Sequence, residues 1–281
     1  MPIDLHVHST ESDGTFTPEQ IVDTAKAGGI DTVALCDHDT TSGLEKFISY
    51  AKNKGINAVT GVEISASSSA GECHILGLNF PLHCIPLENA LQKYRDARAQ
   101  RNVKIIENLR NLGFSVSIDE LSAYAKGTVA GRPHIARLLI DKGGAVSIDD
   151  AFDRFLTQGA IAYVERPKMD PFEMVSLLKE SGATVVLAHP GLLRFQESEL
   201  EDFVYALVKT GLDALEVFTP HNTDEQILFL KTLVDKYKIS CSGGSDFHGD
   251  NKPGHQIGFY REALMVPEFV RDILAIKGKI V

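Results

Sequence analysis

Short runs rich in Val, Ile and Leu alternate along this chain with longer segments that carry helix start and stop signals. That alternation restricts the fold to βα units packed around a mainly parallel sheet. The predicted strands are Ile3 to Val7, Thr32 to Cys36, Ile56 to Val62, Cys73 to Leu78, Thr184 to Ala188, Ala214 to Phe218 and Ile239 to Ser242, seven in all. Between the first two, Thr17-Pro18-Glu19-Gln20 reads as an N-cap with proline at the first helical position and a capping-box glutamine, closed by Gly28-Gly29. From about Leu87 to Leu156 the pattern becomes helical, with starts at Leu87, Ser117, Arg132-Pro133 and Ser147. This stretch is expected to be a helical insertion on the face where such barrels keep their sites.

The runs end on chemistry. His6 and His8 follow the first, Asp37-His38-Asp39 the second, Glu63 the third, His189 the fifth and Asp246-Phe247-His248 the last, while His74 begins the fourth. The carboxyl ends of parallel barrel strands meet on one rim, so residues distant in sequence become neighbours there. In His6-Val7-His8 the two-residue period of a strand places both imidazoles on one face, fit to chelate one ion. Asp13 lies five residues after His8 in a Ser/Gly-rich turn. Six imidazoles with three carboxylates exceed the four to six ligands of one ion, so two or three divalent metals are implied. No nucleophile elbow or cysteine–histidine pair is visible, and no protein nucleophile is assigned.

With 281 residues, 43% hydrophobic, the chain can bury a full-sized core. A formal charge of −10 argues against long nucleic acid as partner, yet bound metals can reverse the field locally for an anionic substrate. No apolar run approaches the roughly 18 residues of a membrane span, and the amino terminus lacks signal-peptide character, so a cytoplasmic location without a membrane partner is expected. Cys36, Cys73, Cys84 and Cys241 form no short pair and are expected to be free, buried thiols. The sequence specifies no oligomeric state.

HVHSTESDG at 6–14, CDHD at 36–39, GVEIS at 61–65, CHILG at 73–77, AHPG at 188–191 and GGSDFH at 243–248 together resemble the motifs of the polymerase and histidinol phosphatase (PHP) superfamily. The likeness runs the length of the chain. It is closest to the bacterial branch that includes a 3′,5′-nucleotide bisphosphate phosphatase and a 5′-to-3′ exoribonuclease acting on short RNA ends. It implies a distorted seven-stranded TIM-like β/α barrel formed by residues 1–84 and 162–281, with a helical insertion at 85–161 that contributes to substrate binding.

Carried over by motif, His6, His8, Glu63 and Asp246 would hold a first metal, Asp13, His38 and His248 a second, and Glu63, His74 and His189 a third. Manganese is favoured, with zinc or iron as alternatives. Water activated by the metals, as hydroxide, would be the nucleophile. The resemblance further implies that Arg98, Arg101, the Gly131-Arg132 turn and Asn222 contact the substrate's second phosphate, sugar or base. Arg95, Arg98 and Arg101 share one helix face, and Arg132 stands at a helix amino terminus, a natural anion site. The expected reaction is hydrolysis of the 3′-phosphate of a nucleoside 3′,5′-bisphosphate. The alternatives are exonucleolytic trimming of short RNA 5′ ends, histidinol-phosphate hydrolysis, and a non-catalytic metal-binding module. His83, His134, His221 and His255 are placed outside the metal set, at the surface or behind the ligands.

Overall fold

A computed structural model describes residues 2–124, 130–165 and 169–275. Seven strands form one sheet in sequential order: β1 (Ile3–Val7), β2 (Thr32–Leu35), β3 (Asn57–Ser68), β4 (Gly71–Leu78), β5 (Thr184–Leu187), β6 (Ala214–Phe218) and β7 (Ser240–Gly243). Helices α1 (Pro18–Ala27), α2 (Leu44–Lys54), α7 (Pro171–Glu180), α8 (Glu197–Thr210) and α9 (Asp224–Tyr237) follow or precede them as βα connections. Thr17 caps α1 with the full capping box, as its sequence predicts. Apolar faces of strands and helices merge into one large core.

Two features depart from a parallel barrel. First, β4 runs antiparallel to both neighbours, pairing Glu63 with Leu76 and Ser65 with His74 on one side, and Ile75 with Leu187 on the other. The β3–β4 connection is therefore a hairpin, and β3 runs on to Ser68 instead of ending at Val62. Glu63 lies inside β3, not after it.

Second, no ladder joins β1 to β7. The seam consists of an isolated bridge between Val7 and Phe247, with the His8 amide donating to the Phe247 carbonyl at 2.9 Å. The buried carboxylate of Asp4 clasps it, accepting from the amides of His6 (3.1 Å), Ser245 (3.0 Å) and Gly258 (2.7 Å). Gly244 lets the two ends approach, since a Cβ there would lie 2.4 Å from His6 Cβ. The architecture is a curled, mostly parallel seven-stranded α/β sheet.

The predicted helical stretch is present as α3 (Ile85–Asn111), α4 (Ile118–Tyr124), α5 (Arg132–Asp141) and α6 (Ile148–Ala151), the last continuing into a π-helical turn over Phe152–Leu156. Its apolar residues, among them Ile105, Leu109, Leu121, Ile135, Leu139 and Phe155, gather into a second core. At its beginning α3 still belongs to the main core through Leu87 and Leu91. With 27 residues at 1.5 Å each, it is about 40 Å long and reaches from one core to the other. No described helix is long and apolar enough to cross a membrane. All four cysteines are free thiols; Cys36 and Cys73 are buried, whereas Cys84 and Cys241 are only partly so.

Candidate metal centre

All nine predicted ligand side chains converge on one rim. Glu63 stands at the middle: its Oε2 lies 3.3 Å from His6 Nε2, 3.1 Å from His8 Nε2 and 3.2 Å from His38 Nδ1. Its Oε1 lies 2.8 Å from His74 Nδ1 and 3.0 Å from His189 Nε2. Asp246 Oδ1 faces His8 Nε2 at 3.3 Å and His6 Nε2 at 3.6 Å, and Asp13 Oδ1 faces His248 Nε2 at 3.3 Å. The donor atoms of His6, His8, Glu63 and Asp246 lie within 4.8 Å of one another, as do those of His8, Asp13, His38 and His248, and those of His38, Glu63 and His74.

The reversed strand explains His74. Because β4 is antiparallel, its first half is level with the carboxyl ends of the parallel strands, so a residue near its start sits on the rim. His189 (φ 29°) and Asp246 (φ 49°) adopt left-handed backbone just after β5 and just before His248. Non-glycine residues there carry strain of about 1–3 kcal/mol, which surrounding contacts must offset.

The cluster is chemically suited to cations. His8 Nδ1, His38 Nδ1 and Glu63 Oε2 are buried without a hydrogen-bond partner. Each such group costs about 1–3 kcal/mol unless something satisfies it. His6 Nε2 and His8 Nε2 approach to 3.0 Å, an arrangement that a shared ion would satisfy. Burial alone would raise the Glu63 carboxyl, but the surrounding His38, His74 and His6 hold it well below its ordinary range. Asp13 and Asp246 are lowered in the same way against burial, by His38 and His248 and by Lys252, His248 and His6 respectively. Burial opposes charge on the imidazoles too; Glu63 and Glu72 nonetheless bring His74 up to about 10, while burial takes His38 down to about 3.

Behind the ligands stands a layer in which Glu216 and Lys252 were not named from the sequence, whereas His221 and His255 were placed outside the metal set. Glu216 on β6 is fully buried; its Oε1 meets His6 Nδ1 at 2.9 Å and its Oε2 accepts the His189 amide at 2.8 Å. Such a partner fixes the ring orientation and tautomer of a ligating histidine. The visible signal was an acid inside the apolar run Ala214–Phe218. Asp37 accepts from Ser9 N, Ser9 Oγ and Ser12 Oγ at 2.6–2.8 Å, pinning the turn that carries Asp13. His221 Nε2 (2.6 Å) and Lys252 Nζ both bind Asp246 Oδ2, leaving Oδ1 aimed at the histidines. His221 and His255 thus stand behind a ligand, and His134 is buried, accepting the Gly131 amide at 3.0 Å.

The predicted substrate residues divide. Arg98 is buried and paired with the carboxylate of Asp39, and Arg95 donates to the Asp39 carbonyl at 2.9 Å. Arg101, also buried, shares a cleft of about 220 Å³ with Arg132, Ser67, Ser68 and Tyr163, next to His74. Gly131 supports this packing, since a Cβ there would lie 3.2 Å from Arg98 Nη1. Asn222 does not face the cleft: its amide donates to the carbonyls of Glu216 and Val217 and accepts from Gly191, all at 3.0 Å. Both of its amide hydrogens are used in tying the turn after β6, which leaves none for the substrate contact expected of it.

A curled α/β sheet whose rim gathers six imidazoles and three carboxylates defines a metal-dependent phosphoesterase, a hydrolase acting on phosphoric esters. The chain belongs to the PHP domain family, which matches residues 4–164. It is 34% identical to a 5′-3′ exoribonuclease of Haemophilus influenzae, covering 87% of this chain and 89% of that one. It is 30% identical to a 3′,5′-nucleoside bisphosphate phosphatase of Chromobacterium violaceum, covering 91% and 90%. A crystal structure from Bifidobacterium adolescentis, provisionally described as a metal-dependent phosphoesterase, superposes with a TM-score of 0.87 at 30% identity over 100% of this chain and 99% of that one.

Proposed function

We propose that the chain removes the 3′-phosphate of a nucleoside 3′,5′-bisphosphate, with two or three divalent ions, manganese foremost, held on the rim. The observation that carries the metal reading is Glu63, met by five imidazoles through its two oxygens. His6, His8, Glu63 and Asp246 would hold one ion; Asp13, His38 and His248 a second; Glu63, His74 and His189 a third. Such ions supply water of lowered pKa and positive charge against the phosphoryl oxygens.

The chain's own residues do the rest. Glu216 fixes His6, and Lys252 and His221 fix Asp246, so donors are in place before substrate arrives. The insertion, residues 85–161, contributes Arg101 and Arg132 to the cleft beside His74. That cleft supports a second phosphate next to the scissile one, because paired guanidinium groups suit phosphate oxygens. Its volume of about 220 Å³ fits a phosphate and not an extended strand.

A second reading, trimming of short RNA 5′ ends, is favoured by the name of the 34% identical relative. A phosphate-release assay with manganese across adenosine 3′,5′-bisphosphate, a short 5′-phosphorylated RNA and histidinol phosphate separates the readings. The bisphosphate is expected to show the highest kcat/KM. Faster release of mononucleotides from RNA would select the second reading, and no release from any substrate would defeat both.

A further inference from the structure

The cleft beside His74 is lined by two acids, Glu72 and Glu165, neither of them among the nine candidate ligands. Glu72 precedes His74 by two residues on β4, so both side chains stand on one face. Its Oε1 lies 3.4 Å from His74 Nε2, and its Oε2 accepts a 2.5 Å hydrogen bond from Arg132 Nη2. The Glu72 side chain is 35% exposed, so burial does not force the pairing. Arg132 is also held elsewhere: Nη1 donates to the Leu156 carbonyl at 3.4 Å, and its guanidinium lies 5.8 Å from the centre of the Phe152 ring. It would therefore keep its place with Glu72 gone. Ser67, Ser68 and Arg101 line the same cleft and offer further donors.

We infer that Glu72 is an internal anion that occupies Arg132 until a second phosphate on the substrate displaces it, and that it thereby lowers the affinity for doubly phosphorylated substrates. The inference rests on the phosphoesterase reading. A carboxylate and a phosphate compete for the same planar donor fork, and the phosphate dianion brings the greater charge. A substrate without a second phosphate leaves Glu72 in place and meets a neutralised pair. One with it must break a partly exposed ion pair and then lie beside the acid it displaced. Glu72 thus weakens the grip on a second phosphate without preventing it.

The test is steady-state kinetics on the full-length, manganese-loaded chain with adenosine 3′,5′-bisphosphate and p-nitrophenyl phosphate. Glu72→Gln keeps the size and removes the charge. KM for the bisphosphate is expected to fall about two- to fivefold relative to KM for the aryl phosphate, the range for a partly exposed ion pair. The same change in an Arg132→Ala background is expected to leave that ratio where Arg132→Ala alone puts it. Glu72→Ala provides a second variant if glutamine disturbs folding, which thermal melts would reveal. An unchanged or raised KM ratio, or an equal fall without Arg132, overturns the inference while an active wild type leaves the phosphoesterase reading standing. A wild type inactive on both substrates overturns both.

Discussion

At the scale of single residues, Glu63 and Asp246 couple several donors at once, and their substitutions should differ from those of the residues behind them. Asp246→Ala is expected to abolish phosphate release and lower bound metal, measured by elemental analysis, while the circular dichroism spectrum is kept. Full activity of metal-stripped Asp246→Ala enzyme would rule out metal catalysis. Glu63→Gln should be nearly as damaging, because a neutral amide cannot supply the charge that five imidazoles surround. Arg132→Ala should act on selectivity instead. A charge-assisted contact contributes roughly 1.5–3 kcal/mol, so kcat/KM for the bisphosphate is expected to fall about ten- to a hundredfold. Hydrolysis of an aryl phosphate should change much less; equal losses on both would move Arg132 into contact with the reacting phosphate.

At the scale of elements, the open seam between β1 and β7 depends on Asp4, whose two oxygens take three backbone amides. Asp4→Asn turns one acceptor into a donor facing an N–H, so a loss of about 1–3 kcal/mol is expected in urea unfolding. Wild-type stability would show that the seam is held by packing alone. The strands themselves were legible in the sequence: all seven predicted runs overlap observed strands, because hydrophobic period and turn residues are local signals. Strand direction was not, since Cys73-His74-Ile75-Leu76 reads the same in either orientation and only its pairing with β3 and β5 sets it. Most of the nine candidate ligands stood out by position at the ends of runs, while His74 opened the fourth run and Asp13 lay in the turn after the first. Glu216 and Lys252 did not, and Asp37, though at the end of the second run, was given no role, because these roles arise from contacts that are long-range or that the local pattern does not specify. Arg98 was legible as a residue of the site face but not as the partner of Asp39, a contact across 59 positions.

At the scale of the whole molecule, cations should be part of the fold. The rim buries carboxylates among imidazoles, and a ligand that binds only the native state at a hundred times its Kd adds about 2.7 kcal/mol. Chelation is therefore expected to lower Tm by roughly 5–10 °C in differential scanning fluorimetry, the scale for a chain of this size. No change on chelation and manganese re-addition would argue against a loaded native state. The pH dependence should have opposite signs in the two forms. Protonated His74, raised to about 10, stabilises the ion-free rim fully below its ordinary 6.5 and loses that contribution as pH rises through about 10. Ions instead require neutral imidazoles, so their binding strengthens over the same interval. The Tm gap between loaded and chelated protein should accordingly widen from pH 6.5 to pH 9.

The reversal of β4 also decides where new parts can be attached. Since β4 ends away from the rim, α3 starts below and climbs past the site, pinned to Asp39 by Arg95 and Arg98 on the way. From Ile105 to Ala162 the buried apolar residues gather in a separate core. We propose that the outer half of α3 and helices α4 to α6 form an exchangeable head, joined to the rest by one long helix. Replacing that head with the corresponding segment of a relative should transfer substrate preference without moving any of the nine rim donors, because none of them lies within it.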